Sequence, residues 1–219
     1  MAQHGRSAAG ARAGGRRRTS RAAKRAAPRT VRIGITGHRS LTDVKRLTDA
    51  IDRALDRIQE AWPGHLPVAL SPLAEGADRL VAERILARPH GRMIATLPLP
   101  IHEYMHDFPS RASRAKFVKL LGAATETVVL PRRRSRDAAY RAVGRYVVQH
   151  CDVLVAVWDG QRPQGRGGTG EIVAWARARG KPLVIVRAGN RVPGTAVGTS
   201  LGAGQGRILV ERLPGKGEP

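Results

Sequence analysis

Cysteine, aromatic residues and long apolar runs are all scarce in this chain of 219 residues. Its one cysteine, Cys151, excludes an intramolecular disulfide and fits a reducing compartment. No apolar run approaches the roughly 20 residues that a membrane helix needs, and the arginine-rich start lacks the apolar segment of a secretory signal. We therefore expect a cytoplasmic protein with Cys151 as an ordinary core residue.

Acidic residues are absent from positions 1–30, which hold nine Arg or Lys. Large apolar side chains are almost absent there too, so burial cannot offset the entropy of ordering, and we predict a disordered basic tail. Such a tail is either simply solvated or a nonspecific nucleic-acid-binding arm. The rest of the chain still carries a net charge of +13.

Short apolar runs then alternate with segments of helical periodicity. Because the runs are near-continuous, they are typical of strands covered on both faces of a parallel sheet. The predicted strands cover 31–36, 67–71, 92–99, 126–130, 153–158 and 182–187. The first predicted helix begins after a cap at Thr42 or Asp43. The other predicted helices span about 76–87, 102–122 with a break near Pro109, 137–150 and 170–179.

This order of elements predicts an α/β fold. Right-handed crossovers give a doubly wound, mainly parallel, Rossmann-like sheet of about six strands, in a single domain over 31–187. Residues 188–219 are Gly-rich and aperiodic, apart from a possible short strand at RILVERL, so we predict a loose C-terminal tail.

Three strand-to-helix turns have the composition of anion sites: TGHR after the first strand, AEGADR after the second, and WDG followed by GRGGTGEIV after the fifth. Free N–H groups and a helix dipole at such turns favour phosphate. Since the turns follow parallel strands, one crevice can receive all three. The candidate contacts are Thr36, Gly37, His38, Arg39, Ser71, Glu75, Gly76, Asp78, Asp159, Gly167, Gly168 and Thr169.

Each candidate has a functional and a purely structural interpretation. Arg39 pairs a phosphate or forms a surface salt bridge, and Gly167 and Gly168 allow close approach and positive φ, or simply make a tight turn. Thr169 donates to phosphate or caps the helix. The acids Glu75, Asp78 and Asp159 accept bonds from ribose hydroxyls or only complement a helix dipole.

The string HEYMH, at 102–106, matches the HExxH pattern of zinc proteases. Pro100 and Pro109 confine any helix there to about two turns, and no third ligand follows, so we predict no metal site and no cofactor. We expect instead a polar lid in which Tyr104 or Phe108 packs on a base.

The motifs GITGHR, SPLAEGADRLVAE, LPLP with Tyr104, and CDVLVAVWDG with GRGGTGEIV resemble the SLOG superfamily, Rossmann-like domains related to DprA and to the LOG, or lysine decarboxylase-like, proteins. The resemblance covers roughly 31–187 and implies a pocket for a nucleotide or a nucleotide-derived ligand. The resemblance also implies that the protein can form homo-oligomers. LOG phosphoribohydrolases carry PGGxGTxxE, from which this chain departs: Arg166 replaces the proline, and Glu171 stands two residues past Thr169 rather than three.

Three functions stay open on the sequence alone. The first is a nucleotide sensor without turnover. The second is a nucleoside monophosphate phosphoribohydrolase, for which Glu171 and Glu75 are the candidate catalytic carboxylates. The third is DNA binding of the DprA kind, which the basic tail and the arginines at 132–136 favour, although eight aromatic residues are few for a base-stacking platform.

Overall fold

The computed structural model describes residues 28–161, 168–192, 194–195 and 197–215. The predicted tail at 1–30 lies outside this part of the chain except for its last three residues, and Gly167 lies outside it as well. Strands occupy β1 (Thr30–Gly37), β2 (Leu66–Ser71), β3 (Arg92–Leu97), β4 (Glu126–Val129), β5 (Val153–Trp158), β6 (Leu183–Arg187) and β7 (Ile208–Glu211). Helices occupy α1 (Val44–Ala61), α2 (Ala77–Leu86), α3 (Ile101–Met105), α4 (Arg111–Gly122), α5 (Arg136–His150) and α6 (Thr169–Ala178).

The strands form one sheet in the order β4-β3-β2-β1-β5-β6-β7. The first six strands are parallel, and β7 runs antiparallel to β6. The prediction of an α/β fold with a doubly wound, mainly parallel sheet is therefore confirmed, and the short strand at RILVERL is present as β7. The predicted break near Pro109 is the boundary between α3 and α4.

Apolar clusters cover both faces of the sheet, as the near-continuous apolar runs require. Val31, Ile33 and Ile35 of β1 pack with α1, α2 and α4 on one face. The other face packs against α5 and α6, and Cys151 belongs to this second cluster. Burial raises the pKa of the Cys151 thiol to about 11, so the residue is the core thiol that the sequence predicts. Among the described helices, none combines the length and apolar character of a membrane span.

The start of α1 corrects two predictions at once. Asp43 precedes the helix with φ 52° and makes no side-chain cap, and the Thr42 hydroxyl donates instead to the Thr199 carbonyl at 2.8 Å. The Ser200 hydroxyl donates to the Asp43 carboxylate at 2.6 Å. These residues therefore anchor the segment after β6, which is held against α1 and adds β7 to the sheet rather than hanging loose.

Candidate functional site

The order of the strands places a topological switch point between β1 and β5. On one side of it the chain continues through β2 and β3, and on the other through β6. In open α/β sheets, ligands bind beyond the carboxyl ends of the strands at such a point. The turns after β1, β2 and β5 are consequently neighbours, since these strands lie side by side in the order β2-β1-β5.

The turns after β1 and β2 are in direct contact. The Ala77 N–H donates to the His38 carbonyl at 3.0 Å. Gly76 has φ 76°, and a Cβ at this position would overlap the backbone carbonyls of His38 and Arg39. Only glycine satisfies both conditions without strain, so Gly76 is needed to close the two turns together.

His38 joins the turn after β1 to the turn after β5. Its Nε2 atom accepts the Asp159 N–H at 3.1 Å and lies 3.3 Å from the Asp159 carboxylate. The side chain is 8% exposed, and this burial lowers the imidazole pKa below 6.5 although Asp159 opposes the shift. His38 thus accepts from the turn after β5 and holds the two turns together.

Two of the predicted contacts after β2 lie beneath the surface. Ser71 is fully buried; its hydroxyl donates to the Asp78 carbonyl at 3.2 Å and accepts the Leu73 N–H at 3.1 Å. The Asp78 carboxylate accepts the Ala74 N–H at 3.3 Å, and burial raises its pKa to about 7. Ser71 has no exposed surface with which to contact a ligand; both residues shape the turn.

Thr36 and Gly37 end β1 beside Ala156 and Val157 of β5 and are half-buried. Arg39 follows on the surface, where its guanidinium lies 5.4 Å from the centre of the Tyr140 ring. Of these β1 candidates, Arg39 has the most side-chain surface available to a ligand.

A cavity of about 390 Å³ opens beside the turns after β1 and β2. Its wall includes the ends of three helices: Val44 begins α1, Gly76 precedes α2, and Ala112 and Ser113 lie in the first turn of α4. The charged and polar side chains of the lining are Arg39, Glu75, Arg79, Ser113 and Lys116. Three cations thus face one acid in this cavity.

Arg79 connects the cavity to α4 and is only 3% exposed. Its Nε donates to the Leu73 carbonyl at 2.9 Å, and its Nη1 donates to the carbonyl and hydroxyl of Ser113, both at 2.9 Å. The guanidinium lies 4.3 Å from the centre of the Phe108 ring. The Ser113 hydroxyl in turn donates to the Glu75 carboxylate.

Arg79, Ser113 and Lys116 are not among the contacts that the sequence predicts. Arg79 belongs to the turn AEGADR, but Ser113 and Lys116 belong to a polar helix without a motif. The signal that joins them is tertiary, since the hydrogen bond from Arg79 to Ser113 spans 34 positions.

The structure describes the start of α6 from Gly168 onward. Gly168, not Thr169, is the N-cap, and its φ of −79° needs no glycine. A Cβ at Gly168 would meet nothing within 4 Å in the described structure. Glu171 lies in the first turn of α6 and forms an ion pair with Arg141 of α5 at 3.2 Å. This candidate carboxylate therefore faces α5, whereas Glu75 lines the cavity.

The HEYMH segment forms only the short helix α3 and the residues after it. Tyr104 and Phe108 are each 1% exposed and pack edge to face in the core, with ring centres 5.0 Å apart. They cannot stack on a ligand base, so the predicted lid is wrong. Glu103 pairs with Arg132. Within the described residues, no three His, Cys, Asp or Glu side chains group as metal ligands would.

Comparisons with known proteins give fold likeness only. Neither a known family model nor a curated protein matches the chain. Among solved structures, the structural genomics target TM1055 shares 14% identity over 70% of this chain and 72% of its own, with a TM-score of 0.42. Two structures of the molybdenum cofactor carrier protein from Chlamydomonas reinhardtii share 21% and 22% identity over 72% of this chain and 76% of theirs, with TM-scores of 0.39 and 0.37. Likenesses this weak assign neither a family nor a ligand.

Proposed function

We propose that this protein binds a nucleotide or a nucleotide-derived phosphate ligand at the carboxyl ends of β1, β2 and β5, and that it acts as a sensor without turnover. The observation that carries the proposal is the cavity beside the turns after β1 and β2. It lies beyond the carboxyl ends of β1 and β2, on one side of the switch point at which open α/β sheets bind ligands, and its lining includes Arg39, Arg79 and Lys116.

The charge of the cavity favours an anion. The starts of α1, α2 and α4 contribute to its wall, and the positive ends of helix dipoles attract phosphate. Three cationic side chains add to this field and are opposed by Glu75 alone in the lining. A cavity of about 390 Å³ lies within the range of small-molecule sites.

The test is a binding screen with nucleoside mono-, di- and triphosphates and inorganic phosphate, followed by calorimetry on the compounds that raise the melting temperature. Arg39→Ala should weaken binding about tenfold, since a charge-assisted hydrogen bond contributes about 1.5–3 kcal/mol. The matched control is Arg53→Ala, an exposed arginine of α1 outside the cavity. Absence of binding by the wild-type protein to every compound would refute the proposal.

A phosphoribohydrolase is the second candidate, and the position of Glu75 favours it. Glu75 is the only carboxylate in the described lining of the cavity, and N-glycosidic cleavage requires a carboxylate near the ribose. Chromatography of nucleoside monophosphates after incubation separates the two functions, because a sensor leaves them intact. If free base is released, Glu75→Gln should stop its release, and the exposed Glu60→Gln should not.

A further inference from the structure

The described lining of the cavity combines cationic side chains with one carboxylate, and Arg79 is buried in its wall. Of the guanidinium nitrogens, Nε and Nη1 are hydrogen-bonded to Leu73 and Ser113, while Nη2 has no hydrogen-bond partner within the described residues. A buried donor without a partner is costly. Because Nη2 has almost no accessible surface, a ligand in the cavity does not contact it; Arg79 instead holds the Ser113 hydroxyl, which donates to Glu75.

Lys116 supplies a second cation on the same helix as Ser113, one turn further along α4. Its Nζ lies 3.0 Å from the Glu83 carboxylate, and both side chains are more than a third exposed. An exposed pair of this kind contributes little, so a doubly charged phosphate can compete with Glu83 for Lys116. Arg39 completes the positive wall from the turn after β1.

Glu75 gives the cavity its hydroxyl-binding end. One carboxylate oxygen, Oε1, accepts from Ser113, and Oε2 accepts no hydrogen bond from the described residues. An ionised carboxylate is an acceptor only, so this oxygen suits a ligand hydroxyl and repels a phosphate.

We propose that the cavity is a sugar-phosphate subsite, in which Arg39 and Lys116 hold the phosphate and Glu75, positioned by Ser113 and Arg79, accepts from the sugar hydroxyls. The inference rests on the proposed function and deepens it. It places the phosphate on the α2 and α4 side of the crevice, away from the glycine-rich turn that precedes α6.

The probes are ribose 5-phosphate, inorganic phosphate and ribose, measured by calorimetry at constant ionic strength. Wild-type protein should bind ribose 5-phosphate more tightly than it binds inorganic phosphate or ribose.

Lys116→Ala should weaken the binding of ribose 5-phosphate and of inorganic phosphate about tenfold. Glu83→Gln should strengthen the binding of both about twofold, because it frees Lys116. Lys119→Ala, on the same helix but outside the cavity, should change neither affinity. Glu75→Gln should reduce the advantage of ribose 5-phosphate over inorganic phosphate.

A crystal structure with ribose 5-phosphate should place phosphate oxygens within hydrogen-bonding reach of the Arg39 guanidinium and Lys116 Nζ. If Gly168→Val abolishes binding of ribose 5-phosphate while Lys116→Ala does not affect it, the phosphate sits at the α6 turn, and this inference falls while the proposed function stands. If nucleotides bind but ribose 5-phosphate does not, the inference also falls alone. If no phosphate compound binds the wild-type protein, both fall.

Discussion

The two sides of the switch point obtain their chemistry in different ways. On the β5 side, the residues that predict an anion site are contiguous in sequence, yet Gly168 needs no special backbone conformation and Glu171 pairs with Arg141. On the β2 side, a cavity is lined by side chains from separate elements, with Arg79 bonded across to Ser113. Among the described residues, the lining of the cavity therefore comes from separate elements that the fold brings together, rather than from one contiguous motif.

The sharpest way to break this comparison is a pair of glycine substitutions. Gly76→Val should lower the free energy of unfolding by roughly 3 kcal/mol or more, because φ is 76° and the new side chain overlaps the carbonyls of His38 and Arg39. Gly168→Val should lower it by only about 1 kcal/mol, because valine is a poorer N-cap than glycine but meets no steric overlap in the described structure. Urea unfolding of both variants gives the two values; equal losses would remove the contrast between the two turns.

Asp78 should make the free energy of unfolding depend on pH, with a smaller effect than that of Gly76→Val. Its pKa is raised by burial to about 7, with Arg39 and Arg79 nearby opposing the shift. The folded state therefore favours the protonated carboxyl. The resulting stabilisation is complete below the unfolded pKa of about 4 and is lost as pH rises through 7, by up to about 1.4 kcal/mol per pH unit.

Asp78→Asn should remove this slope and keep an acceptor for the Ala74 N–H. Relative to wild type, the variant should gain roughly 1–3 kcal/mol between pH 5 and pH 8. Denaturant unfolding at several pH values measures the difference, and parallel curves for the two proteins would contradict the prediction.

His38 should show the opposite pH dependence with a smaller effect. Burial lowers its pKa below 6.5, so the stabilisation by the neutral ring is present above that pH and is lost as pH falls below it. His38→Ala should cost about 1–3 kcal/mol at pH 8, because the Asp159 N–H loses its acceptor. The cost should shrink at pH 5. A cost that grows on acidification would show that His38 is charged in the folded protein.

The sequence predicts most of the framework because buried parallel strands leave a strong local signal. The near-continuous apolar runs specify the six parallel strands, and the same reasoning places the core thiol at Cys151. Helix starts are less predictable: Thr42 and Asp43 have the composition of a cap, yet their side chains bond to Thr199 and Ser200. Those partners lie some 157 positions away, beyond the reach of local rules.

The candidate site was predictable only in part, for the same reason. Arg39, Glu75 and Gly76 line the cavity, and each lies in a turn with recognisable composition. Ser71 and Asp78 share that composition but are turned inward, where their hydrogen bonds shape the backbone. Lys116 resembles any charged residue on a polar helix, and its importance comes only from where α4 packs.

The antiparallel strand β7 covers the edge of β6 that would otherwise end the sheet. The residues that it covers, Leu183 to Val186 of β6, are entirely apolar and pair with β7 along their length. Unpaired, they would present a row of backbone donors and acceptors that templates association with a neighbouring molecule. A chain trimmed back to Arg187 should therefore self-associate more readily than the full chain.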